Sequence, residues 1–137
     1  LIYDNSELNN SKKKQYLKMD GAKIFEFVLD EVPMQIKKLL KSSKNTIKSI
    51  DYFIFHQANK FLIQTLMKKL KITENKVIYS IDEFGNTNSA SIPITIFKNL
   101  KNKYNIKILI SGFGVGYSWA SAIIKLNKPK FSGLYKI

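Results

Sequence analysis

The residues best suited to chemistry fall in three short runs. His56 is the only histidine in the 137 residues. It opens the tetrapeptide His56-Gln57-Ala58-Asn59, between the apolar run Asp51-Tyr52-Phe53-Ile54-Phe55 and an amphipathic pattern. An imidazole donates, accepts or carries a proton near neutral pH. A histidine that merely caps or packs is the plainer alternative. Its position argues otherwise, because polar groups at the C-terminal end of a strand in an α/β sheet sit where ligands bind. Asn86 follows thirty positions later, within Gly85-Asn86-Thr87-Asn88-Ser89-Ala90-Ser91. That run serves as a turn with Asn86 or Ser91 as a helix cap. The amide of Asn86 is also able to donate to a developing oxyanion. The third run, Gly112-Phe113-Gly114-Val115-Gly116, has neither the spacing of a dinucleotide fingerprint nor the Gly-Lys-Ser/Thr end of a phosphate loop. A tight hairpin whose backbone amides approach a ligand fits it better.

Other chemistries find little support. The chain has no cysteine, which excludes disulfides, thiolate metal sites and a thiol nucleophile within it. One histidine and scattered carboxylates make no metal-ligand spacing, and no Gly-x-Ser-x-Gly elbow is present. Asp82 and Glu83 are adjacent, so an extended strand would face them oppositely. The net charge is +13, and every basic residue is a lysine, spread from Lys12 to Lys136. Without arginine, the usual reader of guanine and phosphate, nucleic acid is not the expected partner. An acidic protein uses the same electrostatics. No run approaches the roughly 20 apolar residues of a membrane span, so no membrane partner is expected. The opening Leu1-Ile2-Tyr3-Asp4 has neither a methionine nor a leader and is expected to belong to a fragment.

Three helices and three or four strands are expected to position these runs. Residues 1–18 read as a polar lead-in. From Asp20-Gly21, the spacing of Phe25, Val28, Leu29, Val32, Ile36, Leu39 and Leu40 predicts a helix with one buried face. Pro33 should kink or break it, and Ser42 to Asn45 should end it. Asp51 to Phe55 predicts a buried strand. A second helix is expected from Ala58 to Lys71, with Leu62, Ile63, Leu66, Met67 and Leu70 facing inward. Val77 to Ile81 suggests a short strand, and Phe84 to Asn88 a turn. Ser91-Ile92-Pro93 starts a third helix, since proline suits a first helical turn. Ile106 to Ser111 and Tyr117 to Leu126 read as strands joined by the glycine turn, an antiparallel hairpin. Residues 19–127 are thus expected to form one α/β domain with a mixed sheet, followed by a basic tail at 128–137.

In order and spacing, His56-Gln57-Ala58-Asn59, Gly85-Asn86-Thr87, and Gly112 to Gly116 with Trp119 resemble β-ketoacyl-[acyl-carrier-protein] synthase III. Met19-Asp20-Gly21 with Ile24-Phe25-Glu26-Phe27 is similar to the opening of that family's C-terminal half. The resemblance covers Met19 to Leu126. It implies a thiolase-like fold of two similar halves, of which this is the second. It further implies a cytoplasmic, homodimeric acyltransferase of fatty-acid or related lipid or polyketide synthesis. Such an enzyme condenses malonyl-ACP with an acyl-CoA starter and needs no cofactor. His56 and Asn86 match the catalytic His and Asn. Gly114 and Val115 match the loop that helps form an oxyanion hole. Asn59, Ala58 and Phe113 would line the path of the pantetheine arm. Lys60, Lys68 and Lys69 lie where the family docks its acidic carrier protein, though they also suit a solvated helix face. The acyl-accepting cysteine would come from the N-terminal half of the same enzyme, so this chain should be inactive alone.

Some positions depart from the pattern. Val115 stands where glycine is common, and a positive φ there would be strained. Asn88 stands where serine is frequent, and Glu26 and Phe61 where a basic residue often sits. Two other readings use the same fold: a non-catalytic binding or dimerisation domain, and another acyltransferase of the thiolase superfamily.

Overall fold

The computed structural model describes residues 19–127. The lead-in expected at 1–18 and the tail expected at 128–137 lie outside the described residues. Helix α1 (Gly21–Ser42) starts where Asp20 accepts the Lys23 backbone N–H, a standard N-cap arrangement. It buries Val28, Val32, Pro33, Ile36 and Leu40. The break expected at Pro33 does not occur. The helix continues through it, with the proline packed on the inner face.

Strand β1 (Tyr52–Phe55) leads to helix α2 (Lys60–Leu70). All five residues expected on the inner face of α2 are buried. The helix stops where Lys71 turns left-handed and Ile72 donates back to the Met67 carbonyl. The short strand expected at Val77 to Ile81 is reduced to one bridge between Val77 and Phe53. Ile81–Phe84 instead forms a single helical turn, α3. Asp82 and Glu83 therefore sit on a helix, where they pair with Lys60 and Lys98. Helix α4 (Ser91–Leu100) carries Pro93 in its first turn, as expected.

Strand β2 (Ile106–Gly114) pairs in parallel with β1 and antiparallel with β3 (Ser118–Leu126). The sheet order is β1-β2-β3. β2 runs further than expected and takes in Gly112 to Gly114, with Phe113 opposite Trp119.

Alternating side chains serve the two faces of the sheet. Phe53, Phe55, Leu109 and Phe113 pack in a core with the apolar faces of α1 and α2. Ile54 and Ile108 pack on the other side with Ile92, Ile96 and Leu100 of α4. The parallel pairing brings the C-terminal ends of β1 and β2 to the same side. His56 follows one of those ends, and the Gly112 to Gly114 stretch forms the other.

Candidate active site

An apolar strand flanked by helices delivers His56 to the sheet end. Its backbone N–H donates to the Ser111 carbonyl at 2.8 Å, which extends the β1–β2 ladder by one residue. The ring meets Phe113 edge-on, with centroids 5.6 Å apart. Nδ1 lies 2.7 Å from the Ser91 hydroxyl. Among the described residues, Nε2 has no hydrogen-bond partner. The ring is half-buried, and this desolvation holds its pKa below the ordinary 6.5.

Gln57 is fully buried and joins two segments. Its amide donates to the Phe55 carbonyl at 2.8 Å. Its Oε1 accepts the backbone N–H groups of Ser80 at 2.9 Å and Ile81 at 3.2 Å. It thereby anchors the start of α3, which leads directly to Asn86. Gly85, at φ +65°, makes the turn out of α3, a conformation that suits glycine. Asn86 Oδ1 accepts the Asn88 backbone N–H at 3.0 Å. That bond occupies the carbonyl end of the side chain and leaves the NH₂ end unpaired among the described residues.

His56 and Asn86 line one open cavity of about 860 Å3. Ala58, Asn59, Phe113, Gly114 and Val115 line it too, so the residues matched to catalysis, oxyanion binding and the pantetheine arm share a single cleft. Asn59 also caps α2, accepting the Leu62 N–H at 2.8 Å. Phe25, Leu62, Ile92, Ile110 and Trp119 supply apolar wall. The strain considered at Val115 is absent, because the positive φ of the hairpin turn falls on Gly116, at +133°.

Lys60, Lys68 and Lys69 lie outside the cleft on the exposed side of α2. Lys60 pairs with Asp82, and Lys69 with Asp30 at 3.0 Å. Lys68 has no ion pair among the described residues.

Two contributors were not recognised from the sequence. The sequence offers Ser91 only as a helix cap, yet its hydroxyl reaches across to His56. Gln57 was read only as part of a tetrapeptide. A glutamine two positions past an apolar strand, ahead of the amphipathic pattern of the next helix, is the available signal. Among the described residues, no group of three or more His, Cys, Asp and Glu could hold a metal ion. Among the described residues, no helix is long and apolar enough to cross a membrane.

Comparisons with known proteins place the chain in a family. Residues 40–126 match the model of the 3-oxoacyl-[acyl-carrier-protein (ACP)] synthase III C-terminal family. The chain belongs to this family. Beta-ketoacyl-[acyl-carrier-protein] synthase III of Clostridium tetani is 42% identical over 127 residues, covering 87% of this chain and 38% of the relative. The enzyme of that name from Lactococcus lactis subsp. cremoris SK11 is 39% identical over 115 residues, covering 80% and 35% respectively. The crystal structure of 3-oxoacyl-(acyl-carrier protein) synthase from Burkholderia xenovorans LB400 superposes with a TM-score of 0.79 at 40% identity. It covers 86% of this chain and 35% of that one. The synthase III structure from Thermus thermophilus gives a TM-score of 0.78 at 26% identity, covering 85% and 37%. The expected thiolase-like α/β fold is therefore correct, and the chain spans little more than a third of the length of these synthase III relatives.

Proposed function

We propose that this chain is the enolate-stabilising part of a decarboxylating condensing enzyme of the synthase III type. The observation that carries this reading is the convergence of His56 and Asn86 on one cleft. Each has one end of its side chain engaged, which leaves His56 Nε2 and the Asn86 NH₂ group without a partner among the described residues. When a malonyl thioester loses CO₂, the electron pair of the broken C–C bond moves into a thioester enolate. Two neutral donors at its oxygen stabilise that charge without supplying a proton that would quench the carbanion. The carbanion then attacks an acyl-cysteine thioester, forming the new C–C bond and expelling thiolate. Malonyl-ACP and an acyl-CoA are the substrates of this reading, and no cofactor is required. The apolar walls of the cleft suit a pantetheine arm, and the backbone at Gly114 and Val115 borders the reacting end.

The thiol must come from outside this chain, which contains no cysteine. The N-terminal half of the same enzyme is the proposed source, in a cytoplasmic homodimer. The acidic carrier protein is proposed to dock on the lysines of α2, where Lys68 has no ion pair among the described residues. The missing thiol equally favours a non-catalytic binding role on the same fold, and one experiment separates the two. In the full-length protein carrying this chain, malonyl thioester decarboxylation is measured for wild type, His56→Ala and Asn86→Ala. Each substitution is expected to lower the rate about 10²–10³-fold. A wild-type protein without decarboxylase or condensing activity would establish the binding role instead.

A further inference from the structure

We infer that Ser91 is a positioning residue that fixes the tautomer of His56. The inference rests on the reading of His56 as a neutral hydrogen-bond donor and adds how that donor is prepared. Ser91 is almost wholly buried, at 1% exposure. It is the first residue of α4, brought beside the end of β1 from 35 positions away. Its hydroxyl oxygen lies 2.7 Å from His56 Nδ1 and accepts the Gln57 backbone N–H at 3.4 Å.

The proton count determines the direction of the short contact. A hydroxyl has one proton to give. Among the described residues, Ser91 Oγ has no acceptor other than His56 Nδ1. A buried hydroxyl proton without an acceptor is unfavourable. Ser91 therefore donates to Nδ1, which must then be the unprotonated nitrogen of the neutral ring. The ring proton consequently resides on Nε2, the nitrogen without a partner among the described residues. The reverse arrangement, Nδ1–H donating to Ser91, would leave the hydroxyl proton unpaired and present a lone pair to the cleft. That would repel an enolate oxygen.

Ser91 is itself held from both sides. Its backbone carbonyl accepts the Thr95 hydroxyl at 2.7 Å. The Gln57 amide that it accepts belongs to the residue directly after the histidine. The hydroxyl is thus locked to the same backbone turn that carries the ring.

The test uses the full-length protein carrying this chain. Long-range proton–nitrogen NMR correlations report which ring nitrogen is protonated, with the His56 signals assigned by their loss in His56→Ala. Wild type at pH 8 is expected to show the Nε2–H form alone. Ser91→Ala should give a mixture of tautomers and lower kcat for malonyl thioester decarboxylation about 10–100-fold, with KM nearly unchanged. Ser91→Thr keeps a hydroxyl on the same carbon and should retain the single form. Ser91→Cys, a weaker donor of similar size, should raise the Nδ1–H fraction and serves if the alanine variant does not fold. A wild-type ring in the Nδ1–H form, or a Ser91→Ala or Ser91→Cys ring still wholly Nε2–H, overturns the inference. A His56→Ala protein with an undiminished rate overturns the functional reading and leaves the tautomer result standing.

Discussion

At His56, burial disfavours the charged imidazole, and the proposed chemistry needs the neutral one. The direction of the shift has two consequences. For activity, the neutral ring persists below the ordinary value of 6.5, so the acid limb of the kcat/KM profile for decarboxylation should lie below that pH. A limb above 6.5 would contradict the assignment. For stability, the folded value lies below the unfolded one, so the unfolded chain binds the extra proton first. The contribution of His56 is therefore complete above pH 6.5 and is lost as the pH falls toward the folded value, as denaturant titrations across that range should show. The roles proposed for His56 and Asn86 came from the resemblance of their motifs; their places at a strand end and a glycine turn left a structural reading equally open. Ser91 was not legible as a partner of His56. Nothing in a linear sequence states that the first turn of α4 packs against the end of β1.

Gln57 shows how the connecting elements hold the cleft in shape. Its amide satisfies one carbonyl and two backbone N–H groups that are otherwise enclosed. Gln57→Ala should destabilise the protein by at least about 3 kcal/mol, since it leaves three polar groups unsatisfied at about 1–3 kcal/mol each. Chemical denaturation measures this, and loss of the rate with Asn86 still present would show that the segment has moved. On the inner face of α2, Leu66→Ala should cost about 2–5 kcal/mol through the cavity left behind, with the shift of the denaturation midpoint as the measure. Helices α1 and α2 were the most legible elements, because their apolar residues recur at three- and four-residue steps over ten positions or more. The short strand expected at Val77 to Ile81 does not form beyond Val77. Its β-branched residues Val77 and Ile78 suggest a strand, but only one bridge forms before Gln57 captures the Ser80 and Ile81 amides and starts a helical turn. Pro33 misled in the other direction, because burial against the core retains a helix that local propensity alone would interrupt.

As a molecule, the chain presents a basic exterior and an apolar cleft, and it spans little more than a third of its synthase III relatives. The exposed ion pairs of Lys60 and Lys69 are worth at most about 1 kcal/mol each, so an acidic partner can displace them. Lys68→Glu and Lys69→Glu in the full-length protein are each expected to weaken acyl carrier protein binding and reduce its salt dependence. Calorimetric titration at two ionic strengths would check this, and affinity indifferent to salt and to both reversals would remove α2 as the docking site. The charge itself was plain from composition, but its pairing depended on aspartates at positions 30 and 82, brought to α2 only by folding.

The bond from the His56 amide to the Ser111 carbonyl couples the assembly of the sheet to that of the cleft. It joins segments more than fifty residues apart and lies at the end of the parallel ladder. Closing so long a crossover is slow compared with forming either helix. Newly synthesised chains should therefore acquire helical signal well before they seat the imidazole. Once folded, this amide should exchange with deuterium only as the β1–β2 pairing opens, so its protection would report the integrity of the cleft without any substrate being added.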